Sequence, residues 1–279
     1  MADEDKGPLA ALSAVPWNNL LTAAITLDCA NRLTTGLPAL LGPEPNYFGT
    51  ALDVVFVGYG ATELLKVAGI GKTDYYAELE GAEVNSFARE CGEYAQRGEV
   101  PTRSSDSSFV ATFAGGCFWG TELHFQRVPG VVSTCVGYTQ GEVERPSYAQ
   151  VCSGTTGHTE GIQLTYDPAV VSYEALCEKL LTILGPDATA LNRVGNDRGT
   201  QYRHGIYPHT EAQAEAAARA IARCQANFSV PEEAFFANVV TEVKPAAVFW
   251  PAEGYHQRYL EKGGQDAAKE CEVAVRCYG

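Results

Sequence analysis

Cys117 stands between two glycines and two aromatic residues, in the stretch Gly115-Gly116-Cys117-Phe118-Trp119-Gly120. Paired glycines allow a tight backbone turn and a close approach by a ligand. A cysteine in the first turn of a helix faces unpaired N–H groups and the positive end of the helix dipole, which favours the thiolate. Phe118 and Trp119 occupy positions where polar residues commonly open a helix. A reactive sulfur beside an apolar pocket suits a substrate with a small apolar group on its reacting atom. The bland alternative is a buried structural cysteine with core aromatics, and the glycine-cysteine-aromatic-aromatic-glycine order speaks against it.

The remaining polar residues leave three chemistries open. Cys117 could reduce an oxidised substrate, with another thiol closing the cycle. It could act as a hydrolase nucleophile with His124 or His158 as base; His124 lies about two helical turns away, at another height of the helix. It could also be a redox sensor that turns nothing over. Cys271 and Cys277 lie beyond the flexible Gly263-Gly264 pair, so a mobile tail could carry either to Cys117. Their spacing is not that of a CxxC zinc or redox motif.

The elements needed to position these groups are legible from Phe109 onward. Phe109 to Phe113 reads as a strand running into the glycines, followed by a helix starting near Cys117. Further strands are expected at 131–136, 161–166, 201–207 and 238–243, and helices at 173–184, from Thr210 to about Phe228, and at 252–262. Thr210 and Gln213 form a capping box. The mixed order favours an α+β domain, a two-layer mixed sheet with helices, over a regular doubly wound one. Residues 1–107 read as a mostly helical N-terminal extension, with helical spacing at 17–33 and 62–67 and a linker at 98–108; residues 108–279 read as the catalytic domain with a mobile C-terminal tail. Val54 to Gly60 resembles a dinucleotide loop, but Glu63 replaces the third glycine. Gly71-Lys72-Thr73 lacks the first glycine of a P-loop.

Composition narrows the partners. A net charge of −14 repels phosphate backbones and disfavours nucleic acid. Nine scattered cysteines point to a reducing compartment rather than a disulfide scaffold. The apolar run Ala51 to Val57 is too short to span a bilayer, and the acidic start lacks signal and transit features. A soluble, intracellular protein is expected, in the cytoplasm first and in an organelle such as a plastid second. The single methionine, Met1, fits a protein that works among oxidants.

Several blocks in order carry a family resemblance: Gly116 to Gly120, Phe125 to Val131, Val136 to Gly141, Val151 to Glu160, Gly195 to Arg203 and Glu253 to Leu260. The chain from 109 to 279 resembles methionine sulfoxide reductases of the A type, most of all the plant and algal branch. The resemblance implies that Cys117 is the nucleophile and that Glu160 is the proton donor. It implies that Tyr148 and Tyr202 hydrogen-bond the sulfoxide oxygen, that Phe118 and Trp119 line the pocket, and that Asp197 binds the substrate backbone, with Tyr259 a further lining residue. The substrate would be methionine-S-sulfoxide, free or in oxidised proteins. No cofactor or metal would be bound; Cys271 and Cys277 would regenerate Cys117, with thioredoxin or another thiol as reductant. Which of the two reacts first stays open. The family's His-Asp-Pro is replaced here by Gly185-Pro186-Asp187, and nothing in residues 1–107 matches the family. Residues 109–279 are therefore expected to be active alone.

Overall fold

The computed structural model describes residues 86–227 and 238–277, so the helices expected at 17–33 and 62–67 lie outside the described residues, as do the two rejected nucleotide-loop fragments. The chain divides into two units, Met1–Asp74 and Tyr75–Gly279, and the described residues all belong to the second.

Helix α1 spans Ser86–Gln96. Strand β1 (Phe109–Ala114) leads into helix α2 (Phe118–Gln126), β2 (Val131–Thr139), the short helix α3 (Tyr148–Cys152) and β3 (Thr159–Tyr166). Helix α4 (Tyr173–Leu184) then precedes a small hairpin, β4 (Arg193–Val194) and β5 (Asp197–Arg198). The chain continues through β6 (Gly205–Tyr207), helix α5 (Glu211–Asn227), β7 (Glu242–Val243), β8 (Trp250–Pro251) and α6 (Tyr259–Lys262). Six strands form one sheet in the order β7-β6-β1-β3-β2-β8, antiparallel except for the parallel β6–β7 pair. This is the mixed sheet expected of an α+β domain.

Register fixes which side chains share a face. Phe113, Ile162 and Val136 lie across neighbouring strands. Phe113 stacks on Phe125 of α2 at 5.1 Å between ring centres and on Tyr173 of α4 at 5.7 Å. Thr112, Gln163 and Cys135 also lie across from one another, and Gln163 Nε2 donates to Thr112 Oγ1 at 3.1 Å. Helix α1 covers this second set: Phe87, Ala88, Cys91 and Ala95 are buried at helical spacing, and the Cys91 thiol donates to Gln163 Oε1 at 3.2 Å. The sheet therefore carries packed helix beyond the boundary at 107, and the segment at 98–108 is tied back, with Val110 N donating to Thr102 O and Arg103 lying over the Phe109 ring.

Helix α4 matches its expected limits, with Ser172 capping it through the Ala175 N–H. Three expectations shrink. Only Gly205–Tyr207 of 201–207 pairs, because Thr200–Tyr202 winds as a 3-10 turn. Only Glu242–Val243 of 238–243 pairs. The helix at 252–262 is reduced to α6, because Ala252 N donates across to Val136 O and Arg258 adopts a left-handed φ of 53°. The capping box at Thr210 is half formed: Gln213 N donates to Thr210 Oγ1, while the Gln213 amide serves His209 N and Val110 O.

Candidate active site

Cys117 is the N-cap residue of α2, reached from β1 through Gly116 at a φ of 77°. A Cβ on Gly116 would lie 2.6 Å from Val194 Cβ, so glycine is needed both for the turn and for seating the β4–β5 hairpin. At Gly120 a Cβ would lie 2.5 Å from the Cys277 sulfur. The last glycine of the motif is thus the hollow into which the C-terminal thiol fits.

The Cys277 sulfur lies in the Gly120 hollow, beside the Cys117 thiol. This contact, then burial and the Glu160 carboxylate, push the Cys117 thiol well up from its ordinary value. In this resting, reduced arrangement the neighbouring sulfur and burial oppose the stabilisation that the Gly120 N–H at the helix start gives the thiolate. Cys277 moves the other way, lowered by the hydrogen bond from Cys117.

Glu160 opens β3 and is almost wholly buried. Burial first, then the nearby Asp197 and Cys277, push its carboxyl up to about 8, while Phe118 N donating to Oε2 at 3.1 Å opposes this. At neutral pH Glu160 is therefore held mostly protonated beside the Cys117 sulfur. Tyr148 and Tyr202 are both within the field of Glu160; burial is the largest cause holding each phenol protonated. Tyr148 begins α3, whose capping box is built by Ser147 and Gln150. Tyr202 ends the 3-10 turn after Gly199. Asp197 sits on the β4–β5 hairpin, and its charge acts on Glu160, Tyr202 and Cys277.

The aromatic wall is continuous. Phe118 lies 5.9 Å from Tyr138 and 6.4 Å from Tyr148, ring centre to ring centre. Trp119 stacks on Tyr259 at 4.1 Å, and its indole N–H donates to His256 Nδ1 at 3.1 Å. Of the residues that the family resemblance singles out, all but Cys271 thus converge on one region. Cys271 instead lines a separate hollow with His124, Arg127 and Lys179.

Sequence reading missed His256 and Glu253 as individuals. Glu253 accepts from Tyr138 OH and from Tyr148 N, each at 2.9 Å. Their i, i+3 spacing just before Tyr259 was the available signal. Asp187, in the segment that departs from the family pattern, braces the hairpin carrying Asp197: Gly195 N donates to Oδ2 at 2.6 Å and Arg193 to Oδ1 at 3.0 Å. The hydrolase bases are directed elsewhere. His158 Nε2 bonds Val143 O at 2.8 Å, and His124 is at the other end of α2, its ring pushed down to about 4 by burial. No cluster of three or more metal-ligating side chains occurs among the described residues, and no helix among them is long and apolar enough to cross a membrane.

A cysteine at a helix start, a buried carboxyl pushed up to about 8 and a second thiol close by are the parts a thiol-dependent oxidoreductase uses. Comparison with known proteins agrees. The family model described as "Peptide methionine sulfoxide reductase" matches residues 109–277, and this chain belongs to that family, in its A type. Peptide methionine sulfoxide reductase A2-1 of Oryza sativa subsp. japonica is 49% identical over 170 residues, 61% of this chain and 86% of the rice protein. The chloroplastic A4 protein of Arabidopsis thaliana is 47% identical over 186 residues, 65% of this chain and 67% of that one. Among solved structures, methionine sulfoxide reductase A of Corynebacterium diphtheriae superposes with a TM-score of 0.51 at 31% identity, covering 63% of this chain and 88% of that one. Members of the family reduce methionine sulfoxide, and this chain is such an enzyme.

Proposed function

We propose that Cys117 attacks the sulfur of methionine-S-sulfoxide, free or in oxidised proteins, while Glu160 protonates the sulfoxide oxygen. The oxygen passes to Cys117 as a sulfenic acid and methionine leaves; the thiol proton replaces the one Glu160 gave. The single observation that carries this reading is the neutral Glu160 carboxyl, held by the Phe118 N–H next to Cys117. Tyr148 and Tyr202 donate to the same oxygen without changing charge. Phe118 and Trp119 enclose the substrate methyl, Asp197 accepts from the substrate backbone, and Tyr259 extends the wall.

Cys277 is the first resolving thiol, because its sulfur is seated at Gly120 near the start of the Cys117 helix; Cys271 then takes over the disulfide and passes it to thioredoxin or another dithiol. Residues 1–107 add an extension that takes no part in the chemistry. The protein works in a soluble intracellular compartment, the cytoplasm, with a plastid as the alternative that the chloroplastic relative supports. The test is methionine formation from each sulfoxide epimer with dithiothreitol, for the wild type and Cys117→Ser. Turnover of the S epimer alone, lost in the variant, is expected. Turnover surviving in Cys117→Ser would sink the assignment.

A further inference from the structure

Arg127 follows α2 and is buried, yet among the described residues its guanidinium meets backbone carbonyls and no carboxylate. Nε donates to Asp266 O at 2.8 Å and Nη1 to Val273 O at 2.5 Å, while the buried Nη2 has no partner. The Arg127 carbonyl in turn accepts from Glu270 N at 2.8 Å. Three points of the tail, spread from 266 to 273, are thus gathered on one residue. The same stretch is closed at its ends, where the Gln265 amide donates to Arg276 O at 2.6 Å and accepts from Arg276 N at 3.1 Å. Lys269 pins the outside of the loop, reaching Gln126 O and Val131 O. Residues 265–276 are wound around Arg127 as around a peg, and the residue that emerges from the closed end is Cys277.

A buried guanidinium without a counter-charge is expensive. Its charge-assisted bonds to carbonyls are stronger than neutral ones, and here they are spent on a segment that has no helix or strand of its own. The paired glycines before the tail would let it wander. The peg removes that freedom at the far side of α2, so that the next thiol is delivered to the Gly120 hollow at the near side.

We infer that Arg127 is the positioning residue for the resolving step: by winding residues 265–276 around its guanidinium it holds Cys277 against Cys117, and so sets the lifetime of the Cys117 sulfenic acid. This rests on the proposed function above. In the step concerned, the Cys277 sulfur attacks the Cys117 sulfenic sulfur and the S–O bond breaks. The hydroxyl leaves with the Cys277 proton as water. Cys277 is oxidised, the sulfenic sulfur is reduced, and one S–S bond forms. Arg127 touches neither sulfur.

The experiment is a single turnover of pre-reduced full-length enzyme with N-acetyl-methionine-S-sulfoxide, without added reductant. Methionine release is followed by chromatography, and the sulfenic acid is trapped with dimedone at increasing delays. Arg127→Met keeps the apolar stem and removes the donors. Gln265→Ala opens the clasp from the half-buried side and leaves Arg127 in place, so that a folding defect at the buried site is distinguishable. Both variants are expected to release about one equivalent of methionine at the wild-type rate, and both are expected to keep a trappable sulfenic acid at least about tenfold longer, as effective concentration falls when a held thiol becomes the end of a loose tail. A wild-type sulfenic acid lifetime in both variants would overturn the inference while the reductase reading stood. A wild type that releases no methionine would overturn the reductase reading and take this inference with it.

Discussion

Among the described residues two pairs of cysteines interact, Cys91 of α1 with Cys135 of β2 and Cys117 with Cys277, in very different surroundings. In both pairs one thiol is pushed well above its ordinary value, with burial the leading cause for Cys91 and the contact with Cys277 for Cys117. The surroundings differ. Cys91 and Cys135 are sealed in a small apolar cluster with Phe87, Ala88 and Phe249, and the Cys91 thiol donates to the Gln163 amide. Cys117 and Cys277 are half-buried, Cys117 caps a helix, and the Glu160 carboxyl, pushed up to about 8, lies close by. Contact between sulfurs is thus not what defines a redox site. Access and a neighbouring carboxyl are what separate the two, in line with the inertness of buried structural thiols.

That contrast can be broken at its strongest point by removing the acid. Glu160→Gln keeps the shape and an N–H donor but loses the transferable proton, and kcat should fall by roughly 10²–10⁴-fold, the usual worth of a general acid. The pH dependence follows from the raised carboxyl. Glu160 holds its proton below about 8 and loses it above, so kcat in the wild type should decline as pH rises through that value. A Glu160→Gln variant that still declines there would assign the limb to another group.

A smaller effect concerns the second pair's shelter. Removing residues 1–108 strips α1 from the sheet and bares Cys135, Gln163 and Phe249. Loss of Phe87 burial alone costs about 1.5–3 kcal/mol, so denaturant melts should show a clear loss of stability. Activity per folded molecule should stay near that of the full chain, while a version beginning at Tyr75 should match it in both respects. Equal stability of the two truncations would mean that α1 is not part of the working unit.

The smallest effect should come from the sealed thiols themselves. Cys91→Ala is expected to leave kcat within about twofold and to cost on the order of 1 kcal/mol of stability. Iodoacetamide mapping of the reduced native protein should label Cys117 or Cys277 well before Cys91 and Cys135. Prompt labelling of the sealed pair would erase the distinction.

Much of the site was legible because its chemistry is local in sequence. Gly116 to Gly120 announces a strand-to-helix turn with a cysteine at the cap, and α4 shows its limits through leucine spacing and Ser172. Glu160 was not legible from the residues alone, since a glutamate becomes an acid only through burial that sequence does not display; the family resemblance supplied it. His256, Glu253 and Arg127 work through partners 100 or more positions away, as with Tyr148 N on Glu253 and Val273 O on Arg127. No local pattern encodes such pairs. The over-long strand at 201–207 and helix at 252–262 failed for a related reason: their side chains are composed for regular structure, but the 3-10 turn at Thr200 and the left-handed Arg258 serve contacts made elsewhere.

Gly120 leaves a space the width of a methyl group, and the Cys277 sulfur occupies it. On the proposed cycle, an alanine side chain in that space would push the Cys277 sulfur away from Cys117, so that turnover would come to depend more on external thiols.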